Sequence, residues 1–453
     1  MKFRKESDTM GEVSIPADLL YGASTGRAVE NFPVSGKPIP SALIRALGLI
    51  KWSGALANKE LKKLDLKQAD AIAAAALEVA DGKHDKHFPI DIFQTGSGTS
   101  SNMNANEVIA NLAGRKSIHP NDHVNMGQSS NDVFPTAIHV AAATMIQKNL
   151  LPNLNLLQSA FAAKAKEFKD VIKIGRTHLQ DATPITLGQE FSGYAAQIKK
   201  SSQRISQALE GLQELAIGGT AVGTGINTHP RFAKLVCQYL KQKTGVAFHE
   251  AENHFEAQAA KDACLFASGA LKTLAASLFK IANDLRWLAS GPRCGFYEIE
   301  LPALQPGSSI MPGKVNPVIP EAITQIAAQV IGNDAAITIG AASGNFELNV
   351  YMPMIAANLL ESIEILSNGS KILAKKCVQN IQADKERCAE LVEESLAMVT
   401  SLVPVIGYDK ATQIAKEAYK KRLTIRQLLL EKEILSKKEL DKILDPRSML
   451  APR

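Results

Sequence analysis

The sequence contains few cysteines, and none of them has the spacing of a metal site or a redox pair. The five cysteines are scattered without a Cys-x-x-Cys pair, and the nine histidines include no His-Glu-x-x-His motif. We therefore expect neither a structural nor a catalytic metal. An odd number of isolated thiols is typical of a reducing compartment and predicts a cytoplasmic protein.

A targeting segment and a long hydrophobic run are also missing. The N-terminal residues mix basic and acidic side chains and have no apolar core, which argues against a secretory signal and a transit peptide. We find no apolar run of about 18 residues, and the most apolar stretch, residues 348–360, lies between charged residues. The sequence therefore predicts no membrane span.

The excess of positive charge is small and lies mainly at one end of the chain. Lysine and arginine number 51 against 45 aspartates and glutamates, a net charge of +6. Residues 371–453 carry 17 basic and 12 acidic side chains, so nearly all of the excess lies there. Because aromatic residues do not alternate with these basic ones, a solvated helical face explains them better than a nucleic-acid partner.

Helical periodicity is what the sequence has in abundance. The 453 residues are 45% hydrophobic, enough for two or three domains with a large core. Steps of three and four residues between apolar side chains predict long amphipathic helices. One apolar stripe ends at Gly291-Pro292 and comprises Leu271, Leu274, Leu278, Ile281, Leu285 and Leu288. A second ends at Gly218-Gly219 and comprises Leu187, Phe191, Tyr194, Ile198, Ile205, Leu209 and Leu212.

Three further helical tracts bring the count of long helices to five. They cover residues 134–168 with a bend at Pro152, residues 321–339 and residues 355–366. Five long helices predict an all-α bundle. Small residues such as Gly193 predict close contacts between bundles, and therefore an oligomer.

We expect three domains along the chain. Residues 1–128 mix short helices with loops rich in glycine, asparagine and proline. Residues 129–385 contain the long helices and predict the central bundle. Residues 386–453 predict a small, charged helical domain at the C-terminal end.

One loop concentrates the polar chemistry of the chain. Residues 307–317 read Gly-Ser-Ser-Ile-Met-Pro-Gly-Lys-Val-Asn-Pro. Its glycines and prolines suit a lid with defined hinges. Lys314 and Asn316 are two positions apart, so in an extended conformation both side chains point the same way and can hold an anionic oxygen. On composition alone, an ordinary surface turn remains the alternative.

Nucleotide binding is excluded at two glycine-rich segments. Residues 307–314 resemble a phosphate-binding loop, but five residues separate the glycines, and Val315 stands where a magnesium-binding hydroxyl is needed. The glycine run at 218–225 lacks the dinucleotide-binding order and follows no predicted strand. We therefore expect no cofactor.

Four other segments between apolar helices are rich in serine, threonine and asparagine. Taken singly, each is equally explained by capping and turn chemistry. Together, their hydroxyl and amide groups, with one lysine, suit a small oxygenated anion. The segments are residues 95–104, 119–132, 175–184 and 218–230.

These segments carry a resemblance to a known family. Residues 307–317 resemble the Gly-Ser-Ser-x-Met-Pro-x-Lys-x-Asn signature of the fumarase/aspartase superfamily, which also contains argininosuccinate lyase and adenylosuccinate lyase. Residues 95–104, 128–132 and 175–184 resemble further blocks in the same order, and the resemblance is strongest to the class II fumarases. It implies an all-α subunit of three domains, a tetramer whose central helices form a core of twenty helices, and active sites that take loops from three chains.

The resemblance also implies roles for residues of this chain. Ser308 is expected to be the general base on a mobile loop, His178 to handle the water or hydroxide, and Glu321 to orient and charge-couple His178. Lys314 is expected to stabilise the alkoxide of Ser308 and the dianionic intermediate. The residues that resemble substrate-carboxylate binders are Ser97, Gly98, Thr99, Ser129, Ser130, Asn131, Thr177, Ser309, Val315 and Asn316.

A second anion site of the family matches a segment near residue 120. We expect its residues to bind and not to catalyse. The stretch 111–119 is shorter here than in the family pattern. The matching residues are Arg115, His119, Pro120, Asn121 and Asp122.

The activity that the resemblance implies is the reversible hydration of fumarate to L-malate through an aci-carboxylate, a step of the tricarboxylic acid cycle. The implied partners are a small dicarboxylate substrate and identical subunits. Aspartate ammonia-lyase is the alternative, because it shares the loop and the fold. The residues after Thr95 and the pairs His119-Pro120 and Ser129-Ser130 favour fumarase, whereas Pro317-Val318 and Pro320-Glu321 resemble aspartases.

Two other classes of function rank lower. A structural protein on this fold, such as the relatives recruited to the eye lens, has no need of intact Ser308, His178, Lys314 and Glu321. DNA binding by the basic C-terminal region lacks any further support in the sequence.

Overall fold

The computed structural model describes residues 2–114 and 117–452. Helices make up most of this part of the chain, so the predicted all-α class is confirmed. The helices are α1 (Ala23–Asn31), α2 (Ser41–Glu60), α3 (Leu66–Ala80), α4 (Thr99–Gly114), α5 (Ser130–Met145), α6 (Leu151–Glu167), α7 (Leu187–Leu212), α8 (Phe232–Thr244), α9 (His254–Ala259), α10 (Asp262–Leu288), α11 (Val318–Ala341), α12 (Met352–Lys376), α13 (Lys385–Glu394), α14 (Val403–Ile406), α15 (Tyr408–Lys421), α16 (Ile425–Glu431) and α17 (Lys437–Ile443).

Short strands pair into two-stranded sheets, which the sequence analysis did not predict. Two of the sheets are antiparallel hairpins of six- and seven-residue strands, and the others pair strands of two residues. The strands are β1 (Phe3–Asp8), β2 (Gly11–Pro16), β3 (Ile172–Thr177), β4 (Gln180–Thr186), β5 (Glu214–Leu215), β6 (His249–Glu250), β7 (Ile299–Glu300) and β8 (Gln382–Ala383).

The long helices lie where the periodicity predicted them. All residues of the two apolar stripes are buried, one stripe on α7 and the other on α10. The predicted tracts at 321–339 and 355–366 fall within α11 and α12. Burial of one apolar side chain in every turn is what stabilises helices of this length.

The predicted helical tract 134–168 departs from regular α-helix about one turn before Pro152, where the bend was predicted. A π-helical turn, Ile146–Leu150, joins α5 to α6, and the N–H of Leu151 bonds to the carbonyl of Ile146. Pro152 follows at once, and its ring nitrogen cannot donate to the preceding turn. The wide turn therefore accommodates the proline without ending the helix.

A buried carboxylate fixes the position of α4, the helix that begins beside the first polar loop. Gly22 precedes α1 and offers no capping side chain. Glu107 of α4 replaces the cap, because its carboxylate accepts N–H bonds from Gly22 at 2.8 Å and Ser24 at 2.9 Å and the hydroxyl of Thr25 at 2.6 Å. The contact ties α1 to α4 in one orientation.

The C-terminal helices form a core of their own around strand β3. Ile174 of β3 is buried together with apolar side chains from α13, from the 3-10 turn Leu396–Leu402 and from α15 to α17, among them Leu402, Leu428 and Leu440. The hairpin of β3 and β4 is therefore held by this core, while residues 177–181 at its tip are exposed to solvent.

The described contacts group the chain into two compact units, each made of three segments. The first comprises Met1–Pro152, Ser201–Ala275 and Ile326–Asn368, and the second comprises Asn153–Lys200, Ala276–Gln325 and Gly369–Arg453. The division into three domains at residues 128 and 385 stays a prediction.

Within residues 2–114 and 117–452, one helix has the length and composition of a membrane span. An 18-residue window of α10 has a mean hydropathy of 1.4, and half of that window is buried inside the protein. The expectation that residues 348–360 are the most apolar stretch was wrong, since the long apolar window lies in α10. Core helices of soluble proteins have the same properties, so the finding is weak evidence for a span.

Candidate active site

The first polar loop is a tight turn that leads into α4. The N–H of Gly98 bonds to the carbonyl of Thr95 at 2.8 Å, and the hydroxyls of Ser97 and Thr99 lie 2.9 Å apart. Gly98 has a φ of +73°, and a Cβ there would lie 2.1 Å from the ring of Phe134. Only glycine fits, so Gly98 shapes the turn that presents the Ser97 and Thr99 hydroxyls.

The second polar segment caps α5. The hydroxyl of Ser129 accepts the N–H of Asn131 at 3.3 Å, and the carboxylate of Asp132 accepts the N–H of Ser129 at 2.9 Å. This is a capping box, in which the side chains at the two ends of the first helical turn accept each other's backbone N–H groups. Ser129, Ser130 and Asn131 therefore lie at the positive end of a helix.

Asp132 joins this segment to the glycine-rich loop at 218–225. Its second carboxylate oxygen accepts the N–H of Gly218 at 3.0 Å and of Thr220 at 2.9 Å, and the residue is fully buried. Burial raises the pKa of Asp132, and the three N–H bonds oppose that rise. Asn131 adds a bond from its side-chain amide to the carbonyl of Ala221 at 2.8 Å.

A buried lysine holds the chain just before the cap. The ammonium group of Lys51, with no exposed surface, donates to the side-chain oxygens of Asn125 at 2.8 Å and Gln128 at 3.0 Å. Burial lowers the pKa of Lys51 to about 7, and the charge of Asp132 opposes this shift. Asn102 of α4 donates to the hydroxyl of Ser130 at 2.9 Å and so links the two polar segments.

The structure therefore brings six of the predicted binding residues together in the first unit. They stand at the adjacent N-termini of α4 and α5, where the helix dipoles and the hydroxyl groups favour a negative charge. The six are Ser97, Gly98, Thr99, Ser129, Ser130 and Asn131.

His178 stands at the tip of a strained hairpin. Thr177 pairs with Gln180, and the two residues between them, His178 and Leu179, have φ values of +58° and +60°. Two consecutive left-handed residues define a type I′ turn, which usually contains asparagine and glycine. Thr177, His178 and Leu179 are exposed. The tip thus presents an imidazole to solvent in a backbone conformation that costs free energy.

The 307–317 loop folds back on itself. The N–H of Gly307 bonds to the carbonyl of Lys314 at 2.7 Å, and the amide of Asn316 donates to the carbonyl of Gly307 at the same distance. The hydroxyl oxygen of Ser308 accepts the N–H of Ile310 at 3.2 Å and of Met311 at 3.0 Å. Donors of this kind stabilise negative charge on an oxygen atom.

Several predicted partners do not meet within one chain. Among the residues that the structure describes, neither the ring of His178 nor the carboxylate of Glu321 has a hydrogen-bond or ion-pair partner. The ammonium group of Lys314 has none either, and Ser309 and Val315 are exposed on the same loop. The expected contact between His178 and Glu321 is therefore not formed inside a single chain.

The second anion segment lines a separate cavity of about 740 Å³ in the first unit. His119, Pro120 and Asn121 lie on its wall together with Thr95 and Ser100 of the first polar loop. Asp122 donates its N–H to the ring of His119 at 3.1 Å. Arg115 lies outside the described residues.

Sequence reasoning missed the buried groups that hold these loops. Lys51, Asn102 and Glu107 were not predicted, although Lys51 stands out as a charge within an apolar helical stretch. Asp132 was read only as part of a polar segment. Over residues 2–114 and 117–452, no group of three histidine, cysteine, aspartate or glutamate side chains is arranged to hold a metal ion.

Comparisons with known proteins agree with this architecture. A family model described as lyase matches residues 11–332, and one described as fumarase C C-terminus matches residues 398–451. The chain is 56% identical to a class II fumarate hydratase of Mycobacterium tuberculosis, over 99% of this chain and 96% of that protein. It is 51% identical to the mitochondrial fumarate hydratase of Saccharomyces cerevisiae, over 100% of this chain and 94% of that protein.

A solved structure has the same fold. The crystal structure of a recombinant class II fumarase from Schistosoma mansoni superposes with a TM-score of 0.96 at 40% identity and covers all of both chains. The helical fold and the polar loops at its helix ends thus define a lyase. The chain belongs to the class II fumarate hydratase family.

The geometry around Asp132 predicts the effect of an isosteric change. In Asp132→Asn, an amide NH₂ must face a backbone N–H of Ser129 or those of Gly218 and Thr220, which leaves a buried donor unsatisfied. We expect the free energy of unfolding to fall by about 1 to 3 kcal/mol and KM to rise, measured by denaturant unfolding and steady-state kinetics.

Asp65→Asn is the matched control, because Asp65 caps α3 through two N–H bonds at an exposed site. Asparagine caps helices as well as aspartate does, so the change should stay within about 0.5 kcal/mol. Equal losses in the two variants would contradict the role given to Asp132.

Proposed function

We propose that this chain catalyses the reversible hydration of fumarate to L-malate. Its family membership supports this activity. Two observations carry it: the hydroxyl-rich N-termini of α4 and α5 in the first unit, and, in the second unit, a serine loop in which the Ser308 oxygen accepts two backbone N–H bonds. The relatives compared above are named fumarate hydratases, which favours hydration over the elimination of ammonia from aspartate.

The first step in the malate-to-fumarate direction is removal of a proton from the carbon next to a carboxylate. Ser308 is the proposed base. The N–H groups of Ile310 and Met311 reduce the cost of its alkoxide, and the carboxylate that gains charge needs a cation. Lys314, exposed on the same loop, supplies that cation when the loop closes.

The second step is departure of hydroxide from the neighbouring carbon. His178 is the proposed acid, which protonates the leaving group, and in the reverse direction it activates water. Glu321 is proposed to orient the ring of His178 and stabilise its protonated form. The binding residues at the N-termini of α4 and α5, with Thr177, Ser309, Val315 and Asn316, are proposed to hold the two substrate carboxylates.

A direct assay separates the two activities. Purified protein is incubated with L-malate or with L-aspartate, and the ultraviolet absorbance of the fumarate double bond is followed. We expect the absorbance to rise with malate and to stay flat with aspartate. A rise with aspartate alone would assign the chain to the ammonia-lyases.

Lys314→Met tests the electrostatic role of the loop. The side chain keeps its length and loses its charge, so stabilisation of the intermediate is lost, and we expect kcat to fall about 100- to 1,000-fold. Lys410→Met is the control, since Lys410 is an exposed lysine of α15. Near-normal turnover of the Lys314 variant would contradict the assignment.

We also propose a homotetramer with active sites shared by three chains. Long helices and the loop after α11 expose large apolar side chains, with Phe266 59%, Ile339 65% and Phe346 93% accessible in the single chain. Exposed apolar surface of this kind is typical of an interface. Sharing also explains why His178 and Glu321 have no partner in one chain.

Co-expression of two inactive chains tests the sharing. If Ser308 and His178 of one site come from different subunits, tetramers that mix Ser308→Ala and His178→Gln chains contain some intact sites. We expect partial recovery of activity, with a tetramer mass by light scattering. Mixed tetramers without any activity would place both residues on one chain.

We also propose a cytoplasmic location and an anion-binding role for the segment near residue 120. Five free cysteines suit a reducing cytoplasm, and the yeast relative is named mitochondrial. His119, Pro120, Asn121 and Asp122 are proposed to bind an anion near the first polar loop without taking part in catalysis.

A further inference from the structure

A cluster of buried charges lies under the hairpin that carries His178. Glu298 has no exposed side-chain surface, and its carboxylate lies 2.7 Å from the guanidinium of Arg176 and 3.5 Å from the ammonium group of Lys173. Lys173, 1% exposed, also lies 3.4 Å from Glu190. Lys173 and Arg176 belong to β3, and Arg176 directly precedes Thr177. His178, at the tip of the hairpin, is therefore two positions along the chain from Arg176 and its ion pair with Glu298.

The position of Glu298 is itself fixed from both sides. Its N–H bonds to the carbonyl of Leu288, at the end of α10, at 2.8 Å. Its carbonyl accepts the N–H of Asp384, the residue that caps α13, at 3.0 Å. Because the backbone N–H and carbonyl of Glu298 are both hydrogen-bonded and its side chain is buried, the carboxylate has little freedom to move. It is therefore a rigid anchor for Arg176.

Arg176 has a second contact that fixes its orientation. The guanidinium group lies over the ring of Phe296, 4.1 Å from the centroid. A register shift between Ile174 and Arg176, at Gly175, interrupts the pairing of β3 with β4. Such a bulge re-aims the residues that follow it. The bulge, the stacked ring and the ion pair together set the direction of Thr177 and His178.

We infer that Glu298 is a positioning residue for the proposed catalytic His178. His178 and Leu179 occupy left-handed conformations that neither residue favours, and such a turn persists only where its surroundings hold it. Glu298, through Arg176 and Lys173, supplies that restraint at the base of the hairpin. Glu298 does not touch the reacting atoms and acts through the hairpin alone.

The inference rests on the proposed function, and kinetics in two backgrounds test it. In Glu298→Gln the amide oxygen still accepts from Arg176, and the NH₂ takes the place of Oε1, which has no hydrogen-bond partner. The variant therefore keeps its shape and loses the charge. We expect kcat to fall about tenfold, because small displacements of a catalytic group have large effects on rate. In a His178→Gln background the same change should lower kcat by less than about twofold.

Asp284→Asn is the matched control. Asp284 accepts the hydroxyl of Tyr194 at 2.9 Å and pairs with Lys280 in the same unit, and among the described residues it has no hydrogen bond or ion pair to residues 172–186. It loses the same charge, and we expect kcat to stay within about twofold of the native value. If Glu298→Gln lowers kcat equally with and without His178, or leaves it unchanged, the inference is wrong, since a general loss of folded protein acts alike in both backgrounds.

Hydrogen exchange separates this inference from the proposed function. Glu298→Gln should speed amide exchange in peptides that cover residues 172–186 and leave peptides from α5 and α8 unchanged. This readout does not require turnover, so it stands even if the protein fails to hydrate fumarate. Unchanged exchange at 172–186 would overturn the role of Glu298 whatever the activity proves to be.

Discussion

The polar loops depend on one physical constraint, which is that a carboxylate removed from water must be satisfied by donors in fixed positions. Asp132 accepts three backbone N–H bonds from two separate loops, and Glu107 accepts bonds from the first turn of α1. An unpaired buried charge costs several kcal/mol, so no loop can shift without loss of these contacts. Flexible, hydroxyl-rich segments thereby become a rigid surface at the ends of α4 and α5.

The helices and the family could be predicted from the sequence because both depend on patterns local to the chain. Apolar side chains at steps of three and four specify α7 and α10, and every residue of both stripes is buried. The hydroxyl-rich segments also fold where helix N-termini require caps, as at Ser129. The positions of Ser97 to Thr99 and of Ser129 to Asn131 follow from these local rules.

The hairpin and the buried charges could not be predicted because they depend on contacts distant in sequence. Strand β3 has only a weak alternation of polar and apolar residues, and it includes Gly175. Its pairing with β4 is therefore evident only from the structure, in which the C-terminal core packs around Ile174. Lys51 meets Asn125 and Gln128 across more than seventy residues, and Arg176 meets Glu298 across more than a hundred. His178 and Glu321 are matched by their motifs, but within one chain neither side chain has a hydrogen-bond or ion-pair partner among the described residues.

The type I′ turn at the hairpin tip sets backbone stability against the proposed catalytic role of His178, because both depend on the residues at 178 and 179. Asparagine at 178 and glycine at 179 would relieve the strain of the turn, so selection for thermal stability alone would favour these two substitutions. The imidazole would then be gone. A relaxed turn is therefore incompatible with the proposed role of His178, and a more heat-stable form of the protein has to gain its stability elsewhere, for example in the packing beneath β3 and β4.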